Sequence, residues 1–179
     1  NYGCGHSERV LGRALANRRA EVVIGTKFGY RVDEQTKRVE FYGDDVNSDE
    51  VTSHLREDCE TSLCRLGIDC IDLYLFHINN YSPDKAVMVR EALEELVREG
   101  KIRFYGWSTD NVQGARVFAQ GKHCVAIQHD LNVIRDLAGD VLELGEGQAA
   151  GPLARQHPAT GELGHHTRDP DRRVPGEAV

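Results

Sequence analysis

The sequence has 179 residues, of which 40% are hydrophobic, and a formal net charge of −7. This length is enough for one domain with a substantial core, and the acidic balance disfavours nonspecific binding to nucleic acid. No apolar run is long enough to span a membrane and no signal peptide is recognisable, so we expect a cytoplasmic protein. The five cysteines lack the C-x-x-C spacing of zinc sites, which predicts reduced thiols and no metal centre.

Helix and strand patterns alternate along the first three quarters of the chain. Ser7 and Glu8 predict the start of a first helix, Asn47 the cap of a second, and Ser82 with Pro83 the start of a third. A weaker helix is predicted in NVQGARVFAQG. Short apolar runs predict four strands, AEVVIGTKFG, IDLYLFH, IRFYGWS and CVAIQHDL, and the first reads as buried on both faces. Strands separated by helices predict an α/β fold with a parallel sheet covered by helices.

The composition changes after Ile134. Residues 135–179 contain no aromatic residue and no Ile, Lys, Ser, Asn or Cys, and they hold all but one of the five prolines. A short stretch, LAGDVLELGEG, is compatible with part of a helix, but beyond it too few large apolar side chains remain to build a core. We therefore expect residues 1–134 to form the folded domain and residues 135–179 a disordered tail. Two origins remain open for the tail: a natural disordered segment, or an out-of-frame ending of a GC-rich gene, which would give this residue bias.

Polar residues follow the strands at their C-terminal ends. Lys27 ends the first strand, His77 the second, Ser108 the third, and Gln128 lies on the fourth. Both (β/α) barrels and doubly wound sheets place ligands at this edge. A doubly wound dinucleotide-binding sheet usually carries G-x-G-x-x-G after its first strand, and neither that pattern nor a P-loop is present. The barrel interpretation is therefore favoured.

Tyr2, Lys27 and His77 form a candidate catalytic set. Individually, Lys27 fits a lysine that extends from a strand end, and His77 fits a hydrogen-bonded core histidine. Together they suit carbonyl reduction, because an ammonium beside a phenol makes it a better proton donor and a neutral imidazole can hold a carbonyl oxygen. The hydride would have to come from a cofactor.

Ser108, Asn111 and Gln128 are the candidate cofactor-binding residues. Their hydroxyl and amide groups could hold the carboxamide of a nicotinamide ring. The structural alternative for each is a strand-end or turn hydrogen bond.

Five ordered motifs between residue 1 and about residue 134 resemble the aldo-keto reductase family. They are YGCGHSERVLGRAL, VVIGTKFG, SLCRLGIDCIDLYLFH, ALEELVREGKIRFYGWSTDN and IQHDLN. The resemblance implies a (β/α)8 barrel that reduces aldehydes or ketones with NADP(H). It matches Tyr2, Lys27 and His77 to three members of the family's Asp-Tyr-Lys-His tetrad, with the Asp expected before residue 1. Ser108 and Gln128 match nicotinamide contacts, and Asn111 lies in the same loop.

The resemblance predicts a partial barrel of roughly four strand-helix units, a fragment of a longer enzyme. A non-catalytic truncated, binding or regulatory relative is the alternative, and a metal hydrolase using His165 and His166 is a poorer third. The expected partner is a small carbonyl compound, with neither nucleic acid nor membrane involved. Strands that hold the adenosine phosphate in the family are expected to be missing, which predicts weak NADPH binding by this chain alone.

Overall fold

The computed structural model describes residues 2–33, 35–40, 49–131 and 151–156. The helices are α1 (His6–Leu15), α2 (Glu50–Leu66), α3 (Pro83–Arg98) and α4 (Val112–Ala119). The strands are β1 (Gly25–Phe28), β2 (Arg31–Val32), β3 (Val39–Glu40), β4 (Ile71–Phe76), β5 (Ile102–Ser108), β6 (Cys124–Leu131) and β7 (Gly151–Gln156). A short 3-10 turn spans Arg19–Glu21. Among the described residues, no helix is both long and apolar enough to cross a membrane.

A parallel sheet organises the chain. Its strands are ordered β1-β4-β5-β6-β7, and every neighbouring pair is parallel. The predicted alternation of helices and strands is confirmed over this sheet, since a parallel neighbour can be reached only by a crossover connection. β2 and β3 form a separate antiparallel pair between β1 and α2.

An aromatic cluster joins the sheet to the helices. Trp107 and Phe76 lie on neighbouring strands, and both contact Phe118 of α4, at ring-centroid distances of 4.7 and 6.0 Å. All three are fully buried. Each such burial stabilises the fold by roughly 1.5–3 kcal/mol, so this cluster fixes the strand register. Trp107 also donates its Nε1–H to the carbonyl of Ile78, 3.0 Å away, which ties down the segment after β4.

The helix boundaries confirm some predicted caps and correct others. Ser82 occupies the N-cap position of α3 with Pro83 in the first turn, as predicted, although the Ser82 side chain makes no capping hydrogen bond. Ser7 is not a cap: α1 begins at His6, after Gly5, which has a left-handed backbone with φ of 77°. A glycine adopts this conformation without steric cost, so the chain turns into the helix without a capping hydroxyl. Asn47 lies outside the described residues.

The first strand is shorter and less buried than predicted. β1 begins at Gly25, and the preceding Val23 is 81% exposed, so the expectation of burial on both faces is wrong there. The physical reason is that β1 is the edge of the described sheet and pairs only with β4. The residue before β1 is held by a side chain of β4: Asp72 Oδ2 accepts a hydrogen bond from the backbone N–H of Ile24 at 2.8 Å.

Part of the predicted tail is ordered as a strand. Gly151–Gln156 pairs in parallel with β6, in a register that sets Ile127 opposite Pro152. The expectation of a tail without regular structure therefore does not hold for these six residues, because strand pairing uses backbone groups and needs no large apolar side chain. A proline is tolerated here because β7 is an edge strand. The remainder of 135–179, including LAGDVLELGEG, His165 and His166, lies outside the described residues.

Candidate active site

Strand register brings the candidate side chains to one face of the sheet. Lys27 is aligned with Leu75, and Ser108 with Gln128. Side chains alternate along a strand, so Lys27 and Leu75 share a face, and His77, two residues after Leu75, shares it too. Phe76 and Trp107 point the other way, into the helix layer. The face opposite the helices therefore carries the candidate residues at the C-terminal ends of the strands.

Tyr2, Lys27 and His77 lie close together at this edge. Lys27 Nζ donates a hydrogen bond to the Tyr2 hydroxyl at 3.3 Å and lies 5.7 Å from the centre of the Tyr2 ring. The rings of Tyr2 and His77 are 6.0 Å apart at an interplanar angle of 33°. Tyr2 is 55% exposed, so its hydroxyl is accessible to a molecule arriving from solvent. The arrangement places an ammonium beside a phenol, with an imidazole as their neighbour.

A small polar cleft lies beside His77. It has a volume of about 170 Å³. Its lining residues all follow strands or lie at their ends: Tyr30, His77, Asn79, Ser108, Thr109, Asp110 and Gln128. The carboxamide oxygen of Gln128 is buried and has no hydrogen-bond partner among the described residues. A buried acceptor of this kind is costly unless a donor reaches it, so the cleft suits a ligand that carries an N–H group.

Asn111 forms a helix-capping contact in this structure. Its Oδ1 accepts a hydrogen bond from the backbone N–H of Gly114 at 3.1 Å, which caps α4. The side-chain oxygen that was expected to hold a nicotinamide is thus engaged by a helix N-terminus.

Four residues of the cleft, Tyr30, Asn79, Thr109 and Asp110, were missed by sequence reasoning. Asn79 and Asp110 are joined by two hydrogen bonds, from Asn79 Nδ2 to Asp110 Oδ2 at 2.9 Å and from Asp110 N to Asn79 Oδ1 at 2.7 Å. Tyr30 lies edge-on to His77 at 5.5 Å, and burial raises the pKa of the Tyr30 hydroxyl. The available signal was position: each residue comes shortly after the end of β1, β4 or β5, where loops meet at the same edge.

Comparison with known proteins identifies the family. The model of the aldo/keto reductase family matches residues 1–146, which is most of the chain. The chain belongs to the aldo/keto reductase family. Its resemblance to that family in the strand-end motifs is thereby confirmed.

Similar proteins extend this result to oxidoreductases. The uncharacterized oxidoreductase YqkF of Bacillus subtilis is 30% identical over 162 residues, which is 90% of this chain and 50% of that protein. The chain thus spans about half the length of this curated relative. In structure it is similar to the holo form of aldo-keto reductase AKR11C1 from Bacillus halodurans, with a TM-score of 0.71 and 26% identity over 84% of this chain and 48% of that one.

A further similar structure contains a nucleotide. It is an aldo/keto reductase from Klebsiella pneumoniae in complex with NADP and acetate, with a TM-score of 0.61 and 28% identity over 84% of this chain and 48% of that one. Because family members fold as (β/α)8 barrels and the match covers about half of each solved chain, the predicted partial barrel is confirmed.

Proposed function

We propose that this chain carries the proton-donating groups and part of the nicotinamide site of an NADPH-dependent reductase of aldehydes or ketones. The observation that carries the proposal is the 3.3 Å hydrogen bond between Lys27 and the accessible Tyr2 hydroxyl, beside His77. Family membership and the relative bound to NADP support the same chemistry.

Tyr2 is the proposed proton donor. As negative charge develops on the carbonyl oxygen, the Tyr2 O–H bond breaks and its proton moves to that oxygen, which completes the alcohol. The ammonium of Lys27 stabilises the phenolate that remains, and solvent then returns a proton to it. His77 is placed to hold the carbonyl oxygen near Tyr2 before the transfer, so that the proton moves over a short distance.

The cleft residues are proposed to orient the cofactor. When bound, NADPH supplies a hydride to the carbonyl carbon and becomes NADP⁺. The partnerless oxygen of Gln128 fits the amide N–H of the nicotinamide, and the hydroxyl of Ser108, on the adjacent strand, fits its carbonyl oxygen. The cleft that would hold the ring is lined by His77, which shares a face of the sheet with Lys27. Asn111 is proposed to act here only by fixing the start of α4.

Steady-state kinetics test the assignment in the protein that contains this chain. The rate of NADPH oxidation in the presence of an aldehyde can be measured from the decrease in NADPH absorbance. We expect this rate to fall by about 100-fold or more in Tyr2→Phe, while the Kd for NADPH stays unchanged. Tyr105→Phe is the matched control, because it removes a hydroxyl that bonds Glu94 in the helix layer and leaves the Tyr2–Lys27 pair intact. Equal activity in Tyr2→Phe and the unaltered protein would refute the proposal.

A binding measurement tests the cofactor assignment separately. Gln128→Ala should weaken NADPH binding by about 5- to 20-fold, because it removes one hydrogen bond to the ring. Fluorescence titration gives this value without turnover. NADPH binding without turnover in the unaltered protein would favour a non-catalytic relative instead.

A further inference from the structure

The carboxylate of Glu8 joins three elements of the fold. Thr26 Oγ1 donates a hydrogen bond to Glu8 Oε1 at 2.7 Å, which links β1 to α1. Arg65 Nη1, from the end of α2, donates to Glu8 Oε2 at 3.3 Å. The side chains of Glu8 and Arg65 are only 15% and 18% exposed. Both carboxylate oxygens of Glu8 thus have protein partners at a site with little access to water. Because water could not readily replace a lost partner, the contact constrains the relative positions of the three elements.

Both residues of the Thr26–Glu8 contact lie close in sequence to a residue of the proposed catalytic pair. Glu8 is in the first turn of α1, directly after the loop that carries Tyr2. Thr26 immediately precedes Lys27 on β1. Because side chains alternate along a strand, the Thr26 hydroxyl and the Lys27 ammonium leave β1 on opposite faces. Glu8 therefore ties together the backbones that present Tyr2 and Lys27 without touching the reacting groups.

The loop that carries Tyr2 is attached to the start of α1. The backbone N–H of His6 donates to the carbonyl of Gly3 at 3.0 Å, which closes the loop onto the first turn. Gly5 lies against the guanidinium of Arg65: a Cβ at Gly5 would lie 2.6 Å from Arg65 Nε. The Tyr2 loop thus packs on the same arginine that pairs with Glu8, and a backbone hydrogen bond joins it to the start of the helix.

The Tyr2–Lys27 hydrogen bond is too exposed to set its own geometry. It is long, at 3.3 Å, and solvent reaches both groups. Exposed pairs of this kind contribute little to holding two chain segments together. The shorter and more shielded Thr26–Glu8 contact is the stronger constraint.

We propose that Glu8 is a positioning residue, which acts through Thr26 to set the distance between the Tyr2 hydroxyl and Lys27 Nζ. The proposal rests on the function proposed above, in which Tyr2 donates the proton. A displacement of about 1 Å between reacting groups lowers a rate by up to about 100-fold. Loss of the Thr26–Glu8 hydrogen bond therefore lowers kcat by about 10- to 100-fold and leaves the affinity for NADPH unchanged.

Two variants of Thr26 test the proposal in the protein that contains this chain. Thr26→Val removes the hydroxyl at nearly constant volume, and Thr26→Ser keeps it. We expect Thr26→Val to show the loss in kcat, with KM for NADPH within about 2-fold, and Thr26→Ser to restore kcat to within about 3-fold. A purely structural role of Thr26 would instead lower the amount of folded protein and change KM for NADPH together with kcat.

The outcomes separate this proposal from the function on which it rests. Loss of activity in Tyr2→Phe, with an unchanged kcat in Thr26→Val, would overturn the positioning role and leave the reductase assignment intact. Full activity in Tyr2→Phe would overturn both. If Thr26→Val does not fold, Glu8→Ala serves instead, because it removes the oxygen that accepts from Thr26. Glu8→Gln is its control, because it keeps an oxygen for Thr26 and loses only the charge pair with Arg65. Full kcat in Glu8→Ala would then refute the positioning role.

Discussion

Asp58 is predicted to destabilise the protein at alkaline pH. It lines a cavity of about 360 Å³ that α1, α2 and the end of β1 enclose, and its Oδ2 is buried without a hydrogen-bond partner among the described residues. Burial raises the pKa of the Asp58 carboxyl to about 7, although the guanidinium groups of Arg31 and Arg65 oppose the rise and Glu8 adds to it. The native protein therefore keeps the proton of Asp58 at pH values where the unfolded chain releases it.

The size of the effect follows from linkage. An aspartate in an unfolded chain titrates near pH ~4, so between about pH 4 and pH 7 the native state binds one proton more. Over that window the free energy of unfolding falls by about 1.4 kcal/mol per pH unit. This contribution is present in full below pH ~4 and is lost as the pH rises through about 7. Solvent access to the cavity reduces the effect below the full value of the pKa difference. We therefore expect Asp58→Asn to stabilise the protein by about 2–4 kcal/mol at pH ~8.

Urea unfolding measures this difference directly. Trp107 is the only tryptophan and is fully buried, so its fluorescence reports the loss of the core. The gain in Asp58→Asn should be about 1 kcal/mol at pH ~5 and rise to about 2–4 kcal/mol at pH ~8. Asp69→Asn, at an exposed carboxyl, is the control and should show no such dependence. A gain that is equal at both pH values, or a loss at pH ~8, would refute the reasoning.

Two further changes test the helix layer. Glu94 accepts hydrogen bonds from the Tyr105 hydroxyl at 2.7 Å and from His123 at 2.6 Å; although burial raises the pKa of its carboxyl, these bonds hold it below its ordinary value. Glu94→Gln should lower the free energy of unfolding, measured in urea, by about 1–2 kcal/mol near neutral pH. The difference should disappear as the pH falls through the pKa of Glu94 in the folded protein. A Cβ at Gly114 would lie 2.5 Å from the Trp107 ring, so Gly114→Ala should lower stability by about 1–3 kcal/mol; an unchanged Tm would contradict this packing.

Strong periodicity made the central elements predictable from the sequence. The runs that became β4, β5 and β6 are short and begin with apolar residues, and α3 combines a helical stripe with Ser82 and Pro83 at its start. The start of α1 was not predictable in the same way, because it depends on the left-handed backbone of Gly5 rather than on a side chain. β7 was missed because its pairing is made by backbone groups, which leave no pattern of large apolar residues.

The candidate site was predictable in its residue types and less so in their contacts. Strand ends indicated Lys27, His77, Ser108 and Gln128, since the carboxyl ends of parallel strands share one edge. The engagement of Asn111 in a helix cap could not be read from the sequence, because the same residue fits a cap or a ligand contact. Contacts between distant chain segments are set by packing and not by local pattern.

The two faces of the sheet depend on each other through strand register. Phe76 and Trp107 pack against the helices, while Lys27 and His77 stand on the opposite face. A slip of one residue in β1 would turn Lys27 toward the helices and remove it from Tyr2, because side chains alternate with a period of two. The aromatic cluster therefore determines the position of the strand-borne groups of the site. Tyr2 lies on a loop and has no such register, which is why its position has to come from a separate contact at the start of α1.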